Sequence, residues 1–138
     1  MPVQKAKCHC GQTEWTADLD NASHILCHCN ACKIIGGSAF TLNQLVPKDK
    51  FNLTKGEVKC YTYKGDSGNP VHCYYCPNCT THVYHHQTVA GDVYVVRTSI
   101  FEGSEKWDST FEIYTGEKYH WQPLVTPEGA HVEGAPPS

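Results

Sequence analysis

Cys27-His28-Cys29-Asn30-Ala31-Cys32 puts three cysteines into six residues, and two further groups, Cys8-His9-Cys10 and Cys76-Pro77-Asn78-Cys79, lie on either side of it in the chain. Together the groups take seven of the nine cysteines, leaving Cys60 and Cys73 apart. An odd number cannot pair completely within one chain. The N-terminal residues Met1 to Lys7 carry charge with no apolar stretch behind them, so no secretory signal is read and a cytoplasmic location is expected. A reducing compartment keeps thiols free, which makes metal binding the leading use of these clusters and a disulfide scaffold the weaker alternative.

The spacing within each group narrows that chemistry. A Cys-x-x-Cys turn aims two sulfurs at one ion about 2.3 Å away, and Pro77-Asn78 favours the bend that this needs. If the first and third groups combine, four thiolates close a tetrahedral zinc site with no position left for a substrate, and such a site contributes directly to folding. The middle group supplies three ligands and leaves one position vacant, unless Cys60, Cys73, His24 or His28 fills it. Three thiolates make zinc a weak and soft Lewis acid that suits another sulfur ligand, so a thiol substrate, deprotonated and ready as a nucleophile, fits the vacancy. Along an extended Val71 to Cys76, Cys73 and Cys76 face opposite sides, which sends Cys73 away from the Cys76 site and into the core.

Outward from the cysteines the chain reads as short strands. Thr13, Trp15 and Ala17 alternate with Gln12, Glu14 and Thr16 over Gly11 to Asp18, a period of two. Further β-prone runs occur at Ile25 to Cys27, Ala39 to Leu45, Phe51 to Leu53, Val58 to Tyr63, Val71 to Tyr75, Thr81 to His86, Val93 to Thr98 and Phe111 to Tyr114, separated by turn signals such as Gly65-Asp66-Ser67-Gly68-Asn69-Pro70. The expectation is a mainly antiparallel β fold, with one or two helical turns near Cys29 to Lys33 and Pro47 to Lys50. The 138 residues suit one domain, taken as 1–126, and the Gly- and Pro-rich stretch 127–138 reads as a flexible tail. A net charge of -3 with Arg97 as the single arginine argues against nucleic acid. The apolar runs are too short for a membrane-spanning helix.

The motifs Cys8-x-Cys10-Gly11, Cys27-x-Cys29-x-x-Cys32 followed by Lys33, and Cys76-x-x-Cys79 with Thr81-His82 after it resemble those of the glutathione-dependent formaldehyde-activating enzyme family, the GFA or CENP-V domain family. The resemblance runs from about Lys7 to Gly103. It implies an Mss4-like zinc-containing β fold and two Zn2+ per chain: a structural ion on Cys8, Cys10, Cys76 and Cys79, and a catalytic ion on Cys27, Cys29 and Cys32. It also implies addition of glutathione to formaldehyde, giving S-hydroxymethylglutathione. Two departures stand out. Thr80 occupies a position where the family usually has glycine, and Lys33 is followed by Ile34-Ile35 where many relatives carry arginines.

Lys33, the turn Gly36-Gly37-Ser38 and Arg97 are the candidates to hold the carboxylates of glutathione, by charge or by backbone N–H groups. The expected function is therefore a zinc-dependent, glutathione-dependent carbon–sulfur lyase acting on formaldehyde or a related carbonyl. The alternatives are carbon–sulfur cleavage of a larger glutathione conjugate, a non-enzymatic zinc-stabilised interaction module, and metal storage or redox sensing by the thiolates.

Overall fold

The alternation around Trp15 sets one face of a small sheet. In the computed structural model, which describes residues 3–135, β1 (Gln4–Lys7), β2 (Glu14–Ala17) and β5 (Phe51–Lys55) form a three-stranded antiparallel sheet in the order β1-β2-β5. Trp15 and Ala17 are fully buried, as the period of two requires, and Thr13 is nearly so.

The remaining strands make a seven-stranded sheet: β3 (Ser23–Cys27), β4 (Thr41–Pro47), β6 (Lys59–Lys64), β7 (Pro70–Tyr75), β8 (His82–Gln87), β9 (Val93–Arg97) and β10 (Asp108–Ile113), in the order β10-β3-β4-β9-β8-β7-β6. Every expected strand run overlaps an observed strand. β1 was not expected, because Ala6 is its only buried side chain and no apolar alternation marks it. β10 pairs with β3 in parallel, whereas the other strand pairs are antiparallel. Among the described residues the one α-helix, α1 (Asn30–Gly36), and the 3-10 turn at Lys48–Lys50 fall at the two places expected for helix, with α1 running three residues further, and three more 3-10 turns, at Thr88–Ala90, Ser104–Lys106 and Thr115–Glu117, were not expected.

One face of the large sheet packs on the small sheet. Val46, Val83 and Val96 meet Ala6, Trp15, Ala17, Leu19 and Phe101, with Cys8 and Cys76 inside the same core. The opposite face carries Asn43 and Leu45 of β4, Val95 of β9, His85 of β8 and Val71 of β7, and these line a cavity. The two faces thus divide the work between core and site.

The stretch from 127 onward departs from its expected looseness as far as it is described. Residues 130–134 run beside β10 and just beyond it: Val132 N–H donates to Glu112 O (3.0 Å), Glu112 N–H to Ala130 O (3.1 Å) and Tyr114 N–H to Gly134 O (2.9 Å), with a parallel bridge between Glu112 and His131. A Gly- and Pro-rich composition lacks bulky side chains, yet the peptide groups still serve an open strand edge. Residues 136–138 of the expected tail lie outside the described residues. Among the described residues no helix is long and apolar enough to cross a membrane.

Candidate active site and metal centres

Cys8 and Cys10 follow β1, and Cys76 and Cys79 follow β7; the packing of the two sheets brings these segments together. The four sulfurs lie within 4.8 Å of one another. Cys8 Sγ is 3.5 Å from Cys10 Sγ and 3.6 Å from Cys76 Sγ, and Cys10 Sγ is 3.8 Å from Cys76 Sγ. Sulfurs about 2.3 Å from a shared tetrahedral ion sit roughly 3.8 Å apart, so the donor set fits zinc. The Thr13 N–H donates to Cys8 Sγ (3.3 Å) and the Thr81 hydroxyl lies 3.2 Å from Cys79 Sγ. The Thr81 hydroxyl lowers the Cys79 thiol to about 5, and the Cys79 backbone N–H lowers that of Cys76, whereas burial raises Cys8. Polar hydrogens aimed at sulfur favour thiolate, the form that binds metal.

The turn Cys76–Thr80 is closed by the Thr80 N–H donating to Cys76 O (3.0 Å), and Thr80 takes φ +66° to do so. That is the left-handed conformation for which glycine would be the undemanding choice. The departure noted in the sequence is therefore met by a strained threonine whose hydroxyl bonds the Cys79 carbonyl (2.6 Å).

The second group forms within one strand–helix junction. Cys27 ends β3, Cys29 caps α1 by accepting the Cys32 N–H (3.2 Å), and Cys32 sits in the first turn. Their sulfurs also lie within 4.8 Å of one another, with Cys27 and Cys32 3.4 Å apart. Bonds from Cys27 and Cys29 hold the Cys32 thiol down at about 2, helped by the Arg97 guanidinium and the Thr41 hydroxyl, while Cys29 is raised to about 11 and Cys27 is raised as well. Hydrogen bonds from its two neighbours, with Arg97 adding to them, thus favour the thiolate form at Cys32.

None of the four candidates for a further ligand joins this group. Both His24 ring nitrogens are engaged, Nδ1 with the Thr98 hydroxyl (2.6 Å) and Nε2 with the Ser104 carbonyl (2.8 Å). His28 Nε2 faces Glu112 Oε2 at 2.7 Å, and both side chains are fully buried. Cys60 is exposed on β6, and Cys73 is buried on β7 outside both groups, raised to about 11 by burial. Among the described residues the second group is three sulfurs.

The His28–Glu112 pair escaped the sequence reading. Glu112 Oε1 also accepts the Val125 N–H (2.8 Å), the Thr126 N–H (3.0 Å) and the Thr126 hydroxyl (2.8 Å). Burial pushes the Glu112 carboxyl up, but these bonds and His28 outweigh it and hold the group below the usual carboxylate range. His28 stands between Cys27 and Cys29, and its N–H donates to Ile113 O (3.1 Å), so β10 braces the cysteine turn at two points. The pair joins residues 84 apart, and no local pattern in the chain signals it.

Cys27, Cys29 and Cys32 line the cavity of about 650 Å3, whereas Cys8, Cys10, Cys76 and Cys79 do not. The expected carboxylate partners fall elsewhere. Lys33 Nζ donates to the carbonyl of Glu117, a lining residue, and lies 4.7 Å above the Tyr119 ring, so it does not itself line the cavity. Gly37 adopts φ +62° to end α1, and the Gly37 and Ser38 N–H groups both bond the Lys33 carbonyl. The Ser38 hydroxyl bonds Phe40 O (2.7 Å), and Gly36 is likewise outside the lining. Helix termination, which needs these peptide groups, takes them from any ligand. Arg97 is buried and bonds the amide oxygen of Asn43, a lining residue, so it reaches the cavity at one remove.

A crystal structure of a Rhodobacter sphaeroides protein matches this fold with a TM-score of 0.59 at 22% sequence identity, covering 77% of this chain and 99% of that one. No curated protein sequence matches significantly. The family profile described as glutathione-dependent formaldehyde-activating enzyme matches residues 3–117, most of the chain and all seven clustered cysteines. The chain therefore belongs to the glutathione-dependent formaldehyde-activating enzyme family.

Proposed function

We propose that the chain is a zinc-dependent carbon–sulfur lyase acting on glutathione adducts, in which Cys27, Cys29 and Cys32 hold the catalytic ion and Cys8, Cys10, Cys76 and Cys79 the structural one. The observation that carries the proposal is that the three-sulfur group opens into the cavity and the four-sulfur group does not. When bound there, zinc supplies a soft Lewis acid that favours the thiolate form of a thiol.

The reaction forms one carbon–sulfur bond. The glutathione thiol gives up its proton, the sulfur electron pair attacks the carbonyl carbon of formaldehyde or a related carbonyl, and the carbonyl oxygen takes a proton to give an S-hydroxymethyl-type adduct. The reverse path releases the carbonyl. The chain's own groups prepare this site. Arg97 is the one guanidinium near Cys32 and favours its thiolate. Arg97 also orients the Asn43 amide, which lines the cavity. His85, which also lines the cavity, is driven down to about 3 by burial and so stays uncharged at neutral pH, adding no positive charge that would repel a bound zinc ion. The Glu112–His28 pair fixes the turn that carries the ligands.

Exchange spectroscopy by NMR on glutathione and formaldehyde tests the proposal. Zinc-loaded protein is expected to speed exchange between free and hydroxymethylated glutathione above the uncatalysed rate. No acceleration by fully loaded protein would overturn it.

A further inference from the structure

The cavity beyond the three sulfurs has a wall that neither glutathione nor formaldehyde explains. Ile25, Leu45, Val71, Val89, Val95 and Ile113 contribute aliphatic side chains to it. Leu45 and Val89 stay 52% and 60% exposed, although each belongs to a residue type that favours burial. Glutathione is built from glutamate, cysteine and glycine, so it carries no aliphatic side chain, and formaldehyde brings a single carbon. Two substrates of that chemistry would leave the apolar wall wet.

The charges around the cavity suit the amino end of glutathione. No lysine or arginine lines it among the described residues, whereas Asp66 and Glu117 do. Acids at the wall match the ammonium of glutathione, and the aliphatic patch remains for whatever is joined to the sulfur. A volume of about 650 Å3 lies within the range of sites that enclose ligands of drug size, roughly 300–1,000 Å3.

We propose that the site takes glutathione adducts whose carbon part is an apolar group of several carbons, lodged against Leu45, Val71, Val89 and Val95, in preference to the one-carbon adduct of formaldehyde. This rests on the reading of the site as a glutathione site and names the class of electrophile that it selects. Aliphatic or aromatic aldehydes and alkyl conjugates of glutathione belong to that class.

Calorimetric titration of the zinc-loaded full chain with glutathione, S-methylglutathione and S-hexylglutathione separates the two levels of the argument. Each methylene that leaves water strengthens binding about fourfold, so burial of even two of the five extra carbons predicts an S-hexyl affinity more than tenfold above S-methyl. The S-hexyl ligand should also show the more negative heat-capacity change. Val89 is exposed at the wall, so Val89→Asp should fold and should reduce the S-hexyl to S-methyl ratio several-fold. Equal affinities for the two thioethers, or a ratio unchanged in Val89→Asp, would overturn the apolar-adduct proposal and leave the glutathione site standing. Failure of glutathione and both thioethers to bind would overturn the glutathione reading and this proposal with it.

Discussion

The two cysteine groups place the same side chain in opposite settings. Cys8, Cys10, Cys76 and Cys79 come from segments 66 or more residues apart and meet beside the core between the sheets, with Cys8 and Cys76 fully enclosed. Cys27, Cys29 and Cys32 come from one turn of chain on the other face, where β3 passes into α1, and they border a cavity. A ligand set drawn from distant segments ties tertiary structure together. A set drawn from six consecutive residues ties almost nothing and needs bracing from outside, which the buried Glu112–His28 pair provides. The difference lies in sequence separation and burial, not in the ligand atoms.

The contrast is broken most severely at the distant set. Cys76→Ser removes a fully buried sulfur that joins the sheets. Structural zinc supplies on the order of 10 kcal/mol to small metal-stabilised folds, comparable with the whole stability of a domain. The variant should therefore fail to give a cooperative thermal transition by circular dichroism, and a wild-type melt would deny that group its structural role. Cys32→Ala should do the reverse. Its metal content should fall from two zinc ions to one, its turnover of the glutathione adduct should drop by about 100-fold or more, and its melting temperature should move by only a few degrees. A collapse of the fold in this variant would erase the distinction between the groups.

The brace gives a smaller and more selective effect. Glu112→Gln leaves His28 facing an amide and weakens a network of four hydrogen bonds, at about 3 kcal/mol for loss of a buried charged partner. Urea unfolding should register that loss, and competition with a chelator should show one zinc ion released faster while the other is retained. Equal release of both would place the brace outside the metal site. Smallest of all, Thr80→Gly relieves a left-handed threonine at about 1–2 kcal/mol but raises the entropy of the unfolded chain and loses a hydroxyl bond, for a net gain of roughly 0.5 kcal/mol. A lower melting temperature would mean that the Thr80 hydroxyl outweighs the strain.

Much of the fold was readable in the chain where a single residue period met a single buried face. Thr13, Trp15 and Ala17 alternate because the core lies on one side of β2, and Cys73 points away from Cys76 for the same reason. β1 was silent because its pairing is made by peptide groups, with Ala6 alone turned inward. The same holds for residues 130–134, which composition consigned to a loose tail although their backbone serves β10. Of the site, the ligand types and spacings were legible, and the pairing of the first and third groups came from resemblance. The cavity wall was not legible, since Leu45, Val89 and Ile113 are ordinary strand and turn residues until topology sets them around the sulfurs. Lys33, Gly36, Gly37 and Ser38 looked like ligand partners by proximity in sequence, yet a helix this short needs Gly37 and Ser38 to close it and leaves Lys33 bonded to Glu117.

X-ray absorption at the zinc edge of the fully loaded chain, recorded before and after addition of glutathione, tests most directly whether one centre is saturated by the protein and the other is not. The expected result is an average of between three and four sulfurs per zinc in the protein alone, rising to four with the thiol present. Four sulfurs per zinc without glutathione, unchanged by its addition, would contradict the account.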